Sequence, residues 1–303
     1  MEITAALVKT LREKTGAGMM DCKAALAASG GDMEGAIKHL REKGLATAAK
    51  RAGKVAAEGV VAAKLVSPSE GLLVELNCET DFVAKTEPFQ DLARAVLDAA
   101  AGKTSIDGTC AAADAGLDAA KLASGKTVGD AIAESIASMG ESIVARRVAR
   151  LAAKPGEGLV GTYVHAGGKI GVLVLAKTTA TGAAAEEVGS LLRDVAMQVA
   201  AINPRFTRRE EVPAEEIERE REINRTMAEQ SGKPPQVIEK MIAGRLEKFY
   251  SEFCLVEQEF IKDPQLTVGK LVAQKSKETG APIEIVRFVR LHLGESSGEA
   301  GEA

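Results

Sequence analysis

Three histidines and four cysteines are the side chains of this 303-residue chain best suited to bind a metal or relay a proton. Their spacing argues against both. His39, His165 and His292 stand far apart, none in a His-Glu-x-x-His arrangement and none at ligand spacing from a cysteine. There is no Gly-x-Ser-x-Gly elbow. Ser124-Gly125-Lys126-Thr127 has the ending of a phosphate-binding loop, but Ala120 stands where the opening glycine belongs and no apolar strand leads into it. The carboxylates fall mostly on charged helix faces. No catalytic constellation and no cofactor are expected. A different chemistry is offered by Glu75-Leu76-Asn77-Cys78-Glu79-Thr80-Asp81-Phe82-Val83-Ala84-Lys85. Thr80 and Asp81 have side-chain oxygens that bond nearby backbone N–H groups, as caps and turns require. Phe82 then places a large apolar ring on a connection, where polar groups are the rule. Either Phe82 folds back and anchors its loop to the core, or it projects as a wedge for a partner.

Two elements must hold this stretch. A strand leads in, with Leu72, Val74 and Leu76 alternating with Leu73, Glu75 and Asn77. A helix over 88–100 leads out, with Pro88 in its first turn and Phe89, Leu92, Ala93, Val96 and Leu97 on one face. The length allows two or three domains. A formal charge of -4 and a pI near 5.7 argue against a general nucleic-acid binder. With no Trp and 3% aromatics, platforms for stacking bases are scarce, and the cores must be built from Ala, Val, Leu and Ile. No apolar run is long enough to span a bilayer. Met1-Glu2-Ile3-Thr4 reads as neither signal nor transit sequence, so a cytoplasmic location is expected. Cys22, Cys78, Cys110 and Cys254 form no Cys-x-x-Cys pair and read as free, mostly buried thiols.

The first 45 residues or so predict three short helices. Thr4 caps the first, which carries Leu7, Val8 and Leu11 and stops at Thr15-Gly16-Ala17-Gly18. The second carries Met19, Met20, Cys22, Ala25 and Leu26, and Asp32 caps a third with Met33, Ile37 and Leu40 inward and Gly44 as its stop. The pattern resembles a ubiquitin-associated-type domain, whose partners bind at the first loop and following helix. Met19 and Met20 fall there, as adaptable contact residues, with one of the two expected in the core. Residues 48–59 read as a small, basic linker or frayed helix.

The body predicts a duplication. Strands over 59–66 and 71–77 flank Ser67-Pro68-Ser69-Glu70, and about 100 residues later Leu159–Val164 and Ile170–Ala176 flank His165-Ala166-Gly167-Gly168-Lys169. A helix follows each hairpin, over 88–100 and roughly 184–202. Thr127-Val128-Gly129 opens a stretch to Arg150-Leu151, and Thr267-Val268-Gly269 opens one to Arg290-Leu291. They match without a gap at Ala133 and Ala273, Gly140 and Gly280, Ile143 and Ile283, and Arg147 and Arg287. The fold class expected is α+β: a three-helix N-terminal domain, then two related units in which an antiparallel sheet carries packed helices. The excess of roughly 40 residues in the second unit lies between Pro204 and about Phe253. It reads as a projecting helical hairpin turning at Ser231-Gly232-Lys233-Pro234-Pro235, with Val237, Ile238, Met241, Ile242, Leu246 and Phe249 as its stripe. Such an arm serves self-association or a partner contact, or is an inert spacer. Residues 101–126 look partly loose. The expected divisions are 1–54, 55–152 and 153–293, with the hairpin inserted at about 204–253 and a disordered tail over 294–303.

Two stretches carry a family resemblance. Leu11-Arg12 followed by Thr15-Gly16-Ala17-Gly18-Met19-Met20-Asp21-Cys22-Lys23 resembles the N-terminal signature of bacterial elongation factor Ts, and Glu75 through Lys85 is similar to that family's second signature. The likeness runs over nearly the whole chain, including Ser231-Gly232-Lys233-Pro234, Glu239-Lys240-Met241 and Thr267-Val268-Gly269. Residues 101–126 and the tail depart from it. The resemblance implies a guanine-nucleotide exchange factor for elongation factor Tu, engaging its GDP-bound and nucleotide-free forms and having no catalytic residues of its own. It implies a ubiquitin-associated-like N-terminal domain, two related subdomains and a dimerisation arm. It further implies that Thr80, Asp81, Phe82 and Val83 insert beside the partner's nucleotide site and help dislodge Mg²⁺, that Arg12, Met19 and Met20 contact the partner, and that His165 lies near that interface. No direct nucleic-acid or membrane partner is implied. The competing functional classes are a non-catalytic adaptor, which would bind its partner equally with or without GDP, and an RNA-binding accessory factor using residues 41–54.

Overall fold

Capping chemistry sets the ends of the first helices. In the computed structural model, which describes residues 3–51, 53–229 and 234–295, the Thr4 hydroxyl accepts from the Leu7 N–H and starts helix α1 (Ala5–Thr15). Gly16 ends it in the left-handed conformation. Helix α2 (Met19–Ala28) and helix α3 (Met33–Arg51) complete the module around Leu11, Cys22, Ala25, Leu26 and Ala36. Three expectations fail here. Gly44 does not stop α3; the helix runs seven residues past it to Arg51. The glycine serves close approach instead: a Cβ there would sit 3.4 Å from the Ala133 carbonyl oxygen and 3.7 Å from the Ala137 Cβ. Ile37 is exposed and Ala36 takes the inward position. Neither Met19 nor Met20 is in the core.

The body is a duplication, down to its irregularities. Strands β1 (Glu58–Ser67) and β2 (Glu70–Cys78) form the first hairpin. A short helix α4 (Asp81–Ala84) and helix α5 (Glu87–Ala100) follow, then strand β3 (Gly108–Ala111), helix α6 (Val128–Met139) and strand β4 (Ile143–Ala152). The second unit has strands β5 (Gly158–His165) and β6 (Ile170–Thr178), then helix α7 (Gly182–Ile202). It closes with helix α10 (Val268–Thr279) and strand β9 (Ile283–His292). Both sheets are antiparallel, ordered β1-β2-β4-β3 and β5-β6-β9. Thr127 caps α6 as Thr267 caps α10, and Gly140 and Gly280 stop them in the same left-handed conformation. The bulges correspond too: the β2–β4 register slips between Glu75 and Leu76, the β6–β9 register between Leu175 and Ala176.

Helices cover only one face of each sheet. Phe89, Leu92, Val96, Ile132 and Ile136 pack on Leu72, Val74 and Leu76, while Val188, Leu192, Val195 and Val272 pack on Val172 and Val174. The opposite faces meet each other through Val61, Leu73, Leu151, Val160, Leu173, Leu175 and Leu291. This four-layer stack buries β2 on both faces, Glu75 and Asn77 included. The sheets close tightly at two glycines in equivalent positions. A Cβ on Gly71 would lie 2.8 Å from Leu173 and Val160 of the second unit, and one on Gly171 would strike Val61 and lie 3.2 Å from Leu73 of the first.

The segment 101–126 is more ordered than expected. It supplies β3 and seats Ile106, Ala112, Leu117 and Ala120 in the first core. Lys126 pairs with Glu134 and Thr127 is a helix cap, which accounts for that fragment without a phosphate. The inserted hairpin consists of helices α8 (Ala214–Glu229) and α9 (Pro235–Phe253), with Ile242, Leu246 and Phe249 buried. Beyond it, strands β7 (Glu259–Phe260) and β8 (Asp263–Thr267) pair as a small ribbon. Residues 231–233 of the expected turn and 296–303 of the expected tail lie outside the described residues. No helix among the described residues is long and apolar enough to cross a membrane.

Candidate functional site

The Thr80–Val83 stretch is not an open loop. The Thr80 hydroxyl accepts from the Val83 N–H at 3.4 Å and begins α4, a single turn. Its far end is closed as well: the Thr86 hydroxyl donates to the Val83 carbonyl at 2.8 Å and the Gln90 amide to the Ala84 carbonyl at 2.7 Å. Ala84 is buried and Val83 packs against the first core. Phe82 faces the other way and is 81% exposed. The core-anchor reading of Phe82 is therefore overturned, and Val83 with Ala84 performs that anchoring.

The platform beneath the ring is held by one carboxylate from another element. Glu141, between α6 and β4, accepts from the Thr80 hydroxyl at 2.6 Å and from the Thr80 and Glu79 N–H groups at 3.0 and 3.1 Å. Glu79 reciprocates, accepting from the Ser142 N–H at 2.7 Å and from Arg51 at 2.8 Å. That Ser142 bond, and after it the Arg51 guanidinium, hold the Glu79 carboxyl below its ordinary value against the pull of partial burial. Asp81 is likewise lowered, first by its 2.6 Å bond to Lys85, with Lys169 adding a weaker field. The Cys78 thiol donates to the Thr80 carbonyl at 3.1 Å and is pushed up to about 12, chiefly by burial and then by Glu141, so it stays protonated.

The other expected positions sort into two groups. His165 is exposed at the tip of the second hairpin, its Nδ1 3.0 Å from the Tyr163 hydroxyl. The turn after it leans on β1, where Gly168 abuts Val60, and it brings the Lys169 charge toward Asp81. Arg12, Met19 and Met20 are exposed on the three-helix module, the methionines at 60% and 73%. No hydrogen bond or ion pair among the described residues joins them to α4, but α3 spans from that module to Glu79 through Arg51. Glu141 carries no sequence signal: it is 61 residues from Thr80, and no local spacing marks it. No group of His, Cys, Asp and Glu among the described residues could hold a metal ion.

Comparison with known proteins identifies the fold's family. The model of the family described as elongation factor TS matches residues 79–295. The chain belongs to the elongation factor Ts family. Elongation factor Ts from Agrobacterium fabrum is 48% identical over 299 residues, covering 97% of this chain and 93% of the relative. The Magnetococcus marinus protein of that name is 46% identical over 297 residues, covering 97% and 94%. That of Clostridium perfringens strain 13 is 45% identical over 296, covering 97% and 93%. Membership in the elongation factor Ts family supports a nucleotide-exchange role toward elongation factor Tu in translation, which is not catalysis of a chemical reaction.

Proposed function

We propose that this chain releases GDP from elongation factor Tu by inserting Phe82, on its one-turn platform, beside the partner's Mg²⁺ and phosphate site. The observation that carries the reading is a ring 81% exposed on a turn whose backbone is tied down at both ends, by Glu141 at the Thr80 N–H and by Thr86 at the Val83 carbonyl. Exposed aromatic surface on a rigid mount is what a wedge needs, because little binding energy is spent ordering it.

The thermodynamics are constrained. If the factor weakens GDP binding by some ratio, GDP weakens factor binding by the same ratio. Accelerating release about a thousandfold requires lowering its barrier by roughly 4 kcal/mol. Mg²⁺ bridges phosphate oxygens and protein ligands, so disturbing it removes a large charge stabilisation. Phe82 spreads the partner's elements, Asp81 competes for hydrogen bonds that position the Mg²⁺ ligands, and Thr80 and Val83 hold the turn in shape. Arg12, Met19 and Met20 on the ubiquitin-associated-like module and His165 on the second hairpin supply binding energy to drive the distortion.

The divisions at 54, 152 and 293 follow from the same reading, and the α8–α9 arm serves self-association. Ile223, Met227 and Val237 support this, since they leave apolar surface exposed on the hairpin. The deciding experiment is release of a fluorescent GDP from elongation factor Tu with wild type and with Phe82→Ala. Strong acceleration by wild type, largely lost in a variant of unchanged melting temperature, is expected. A wild type that binds elongation factor Tu equally with and without GDP, and accelerates nothing, would favour an adaptor.

A further inference from the structure

Behind the platform, an ion pair is buried where the two sheets meet. Glu75 on β2 and Arg147 on β4 are both fully enclosed, with Arg147 Nε 2.5 Å from Glu75 Oε2. The other carboxylate oxygen, Oε1, accepts from the Gly294 N–H at 3.1 Å, just past β9 in the second unit. Arg147 also reaches across, donating from Nη2 to the His292 carbonyl at 2.8 Å. The next residue, Leu293, donates its N–H to the Lys169 carbonyl at 2.9 Å, on the turn that carries His165. Hydrogen bonds thus lead from the strand entering the wedge to the second hairpin's tip.

The duplication supplies an internal control. The position equivalent to Glu75 is Leu175, buried in the contact between the sheets, and it stands opposite Arg287 as Glu75 stands opposite Arg147. Arg287 pairs instead with exposed Asp107. The same site in the same fold therefore accepts leucine, and a charge there is not a requirement of the architecture. Buried ion pairs are in general poor sources of stability compared with apolar residues of similar volume. What distinguishes the first copy is that its strand runs directly into Thr80–Val83.

We propose that Glu75 and Arg147 are positioning residues: their cross-unit bonds set the wedge of the first unit against the His165–Lys169 turn of the second. The partner then meets both as one pre-set surface. This rests on the exchange reading above. Both side chains are buried, so they act through Phe82 and the turn.

The test is a cycle of GDP-release measurements on elongation factor Tu with wild type, Phe82→Ala, the pair Glu75→Leu with Arg147→Leu, and all three substitutions together. The leucine pair removes a buried ion pair but leaves the Gly294 N–H and the His292 carbonyl without their side-chain partners, so it is expected to fold and to melt somewhat below wild type. Its maximal exchange rate at saturating factor should fall about tenfold. Phe82→Ala should lower exchange by a smaller factor in the leucine-pair background than in wild type, because a wedge that is no longer aimed has less to lose. A purely structural pair would give effects that multiply. A folded leucine pair that exchanges like wild type, or multiplying effects, would overturn the proposal. If the leucine pair does not fold, Glu75→Met with Arg147→Met replaces it in the same cycle, and failure of both apolar pairs to fold would make the pair structural and end the idea. Absence of acceleration by wild type would overturn the exchange reading together with this one, whereas an unimpaired leucine pair overturns the positioning role alone.

Discussion

Glu141 carries more of the candidate site than any residue within it, because three donors of the Glu79–Thr80 corner converge on its carboxylate. Glu141→Ala leaves those donors without their acceptor, and it should destabilise the chain by about 1–3 kcal/mol. It should also reduce exchange although its bonds go to Glu79 and Thr80 and not to Phe82; thermal melts and GDP release together check this. Phe82→Ala, by contrast, removes an exposed ring and should change stability by no more than about 0.5 kcal/mol. The pH response follows from Glu79. Its carboxyl titrates lower in the folded chain than in the unfolded one, so its contribution is full above the ordinary glutamate value and is lost as pH falls through the folded value. The Ser142 amide resonance should therefore move at acid pH, below the titration of an exposed glutamate, and Glu79→Gln should abolish that movement. The sequence revealed the cap at Thr80 and an unusual aromatic at Phe82, since both are local signals. It could not reveal Glu141, whose role depends on a strand pairing that brings residues about 60 apart together.

The duplicated element was the most legible part of the fold, because two gapless copies of a helix, a glycine stop and a strand repeat side-chain types that each step requires. What the repeat did not disclose is how the copies face each other. Alternation in β2 suits a sheet with one wet face, yet Glu75 and Asn77 are buried by the companion sheet. The clearest trace of that packing was Gly71 and Gly171, which occupy matching positions in strands otherwise rich in Leu and Val. Gly171→Val should drive a branched side chain into Val61 and Leu73 and destabilise the fold by about 1–3 kcal/mol or more, read as a lower urea midpoint. Segment 101–126 is more ordered than its composition suggests for a related reason. Its Ala, Gly, Asp and Ser have weak intrinsic preference for strand, and its order comes from pairing with β4 and from Ile106 and Leu117 in the core.

At the scale of the whole molecule, the three-helix module is docked through the continuation of α3 on α6. Gly44 lies against Ala133 and Ala137, and Arg41 grips Asp130 with two bonds of 2.7 and 2.8 Å. Gly44→Leu should lift the module from α6 while both cores stay folded, read as new protease cleavage within 45–57 at an unchanged main melting transition. The two sheets also differ in a way that bears on how the chain behaves when crowded. In the first, β3 covers the outer edge of β4; in the second, among the described residues, no strand covers β9. An open edge invites another chain to add a strand. Here Arg208, from the base of the arm, donates to the Ile285 carbonyl and binds Glu284 at 2.8 Å, which sets a charged side chain against the start of that strand. A charge at a strand edge discourages other chains from adding there, so Arg208→Ala should raise light scattering with protein concentration on mild heating while GDP release by the monodisperse fraction stays as it was.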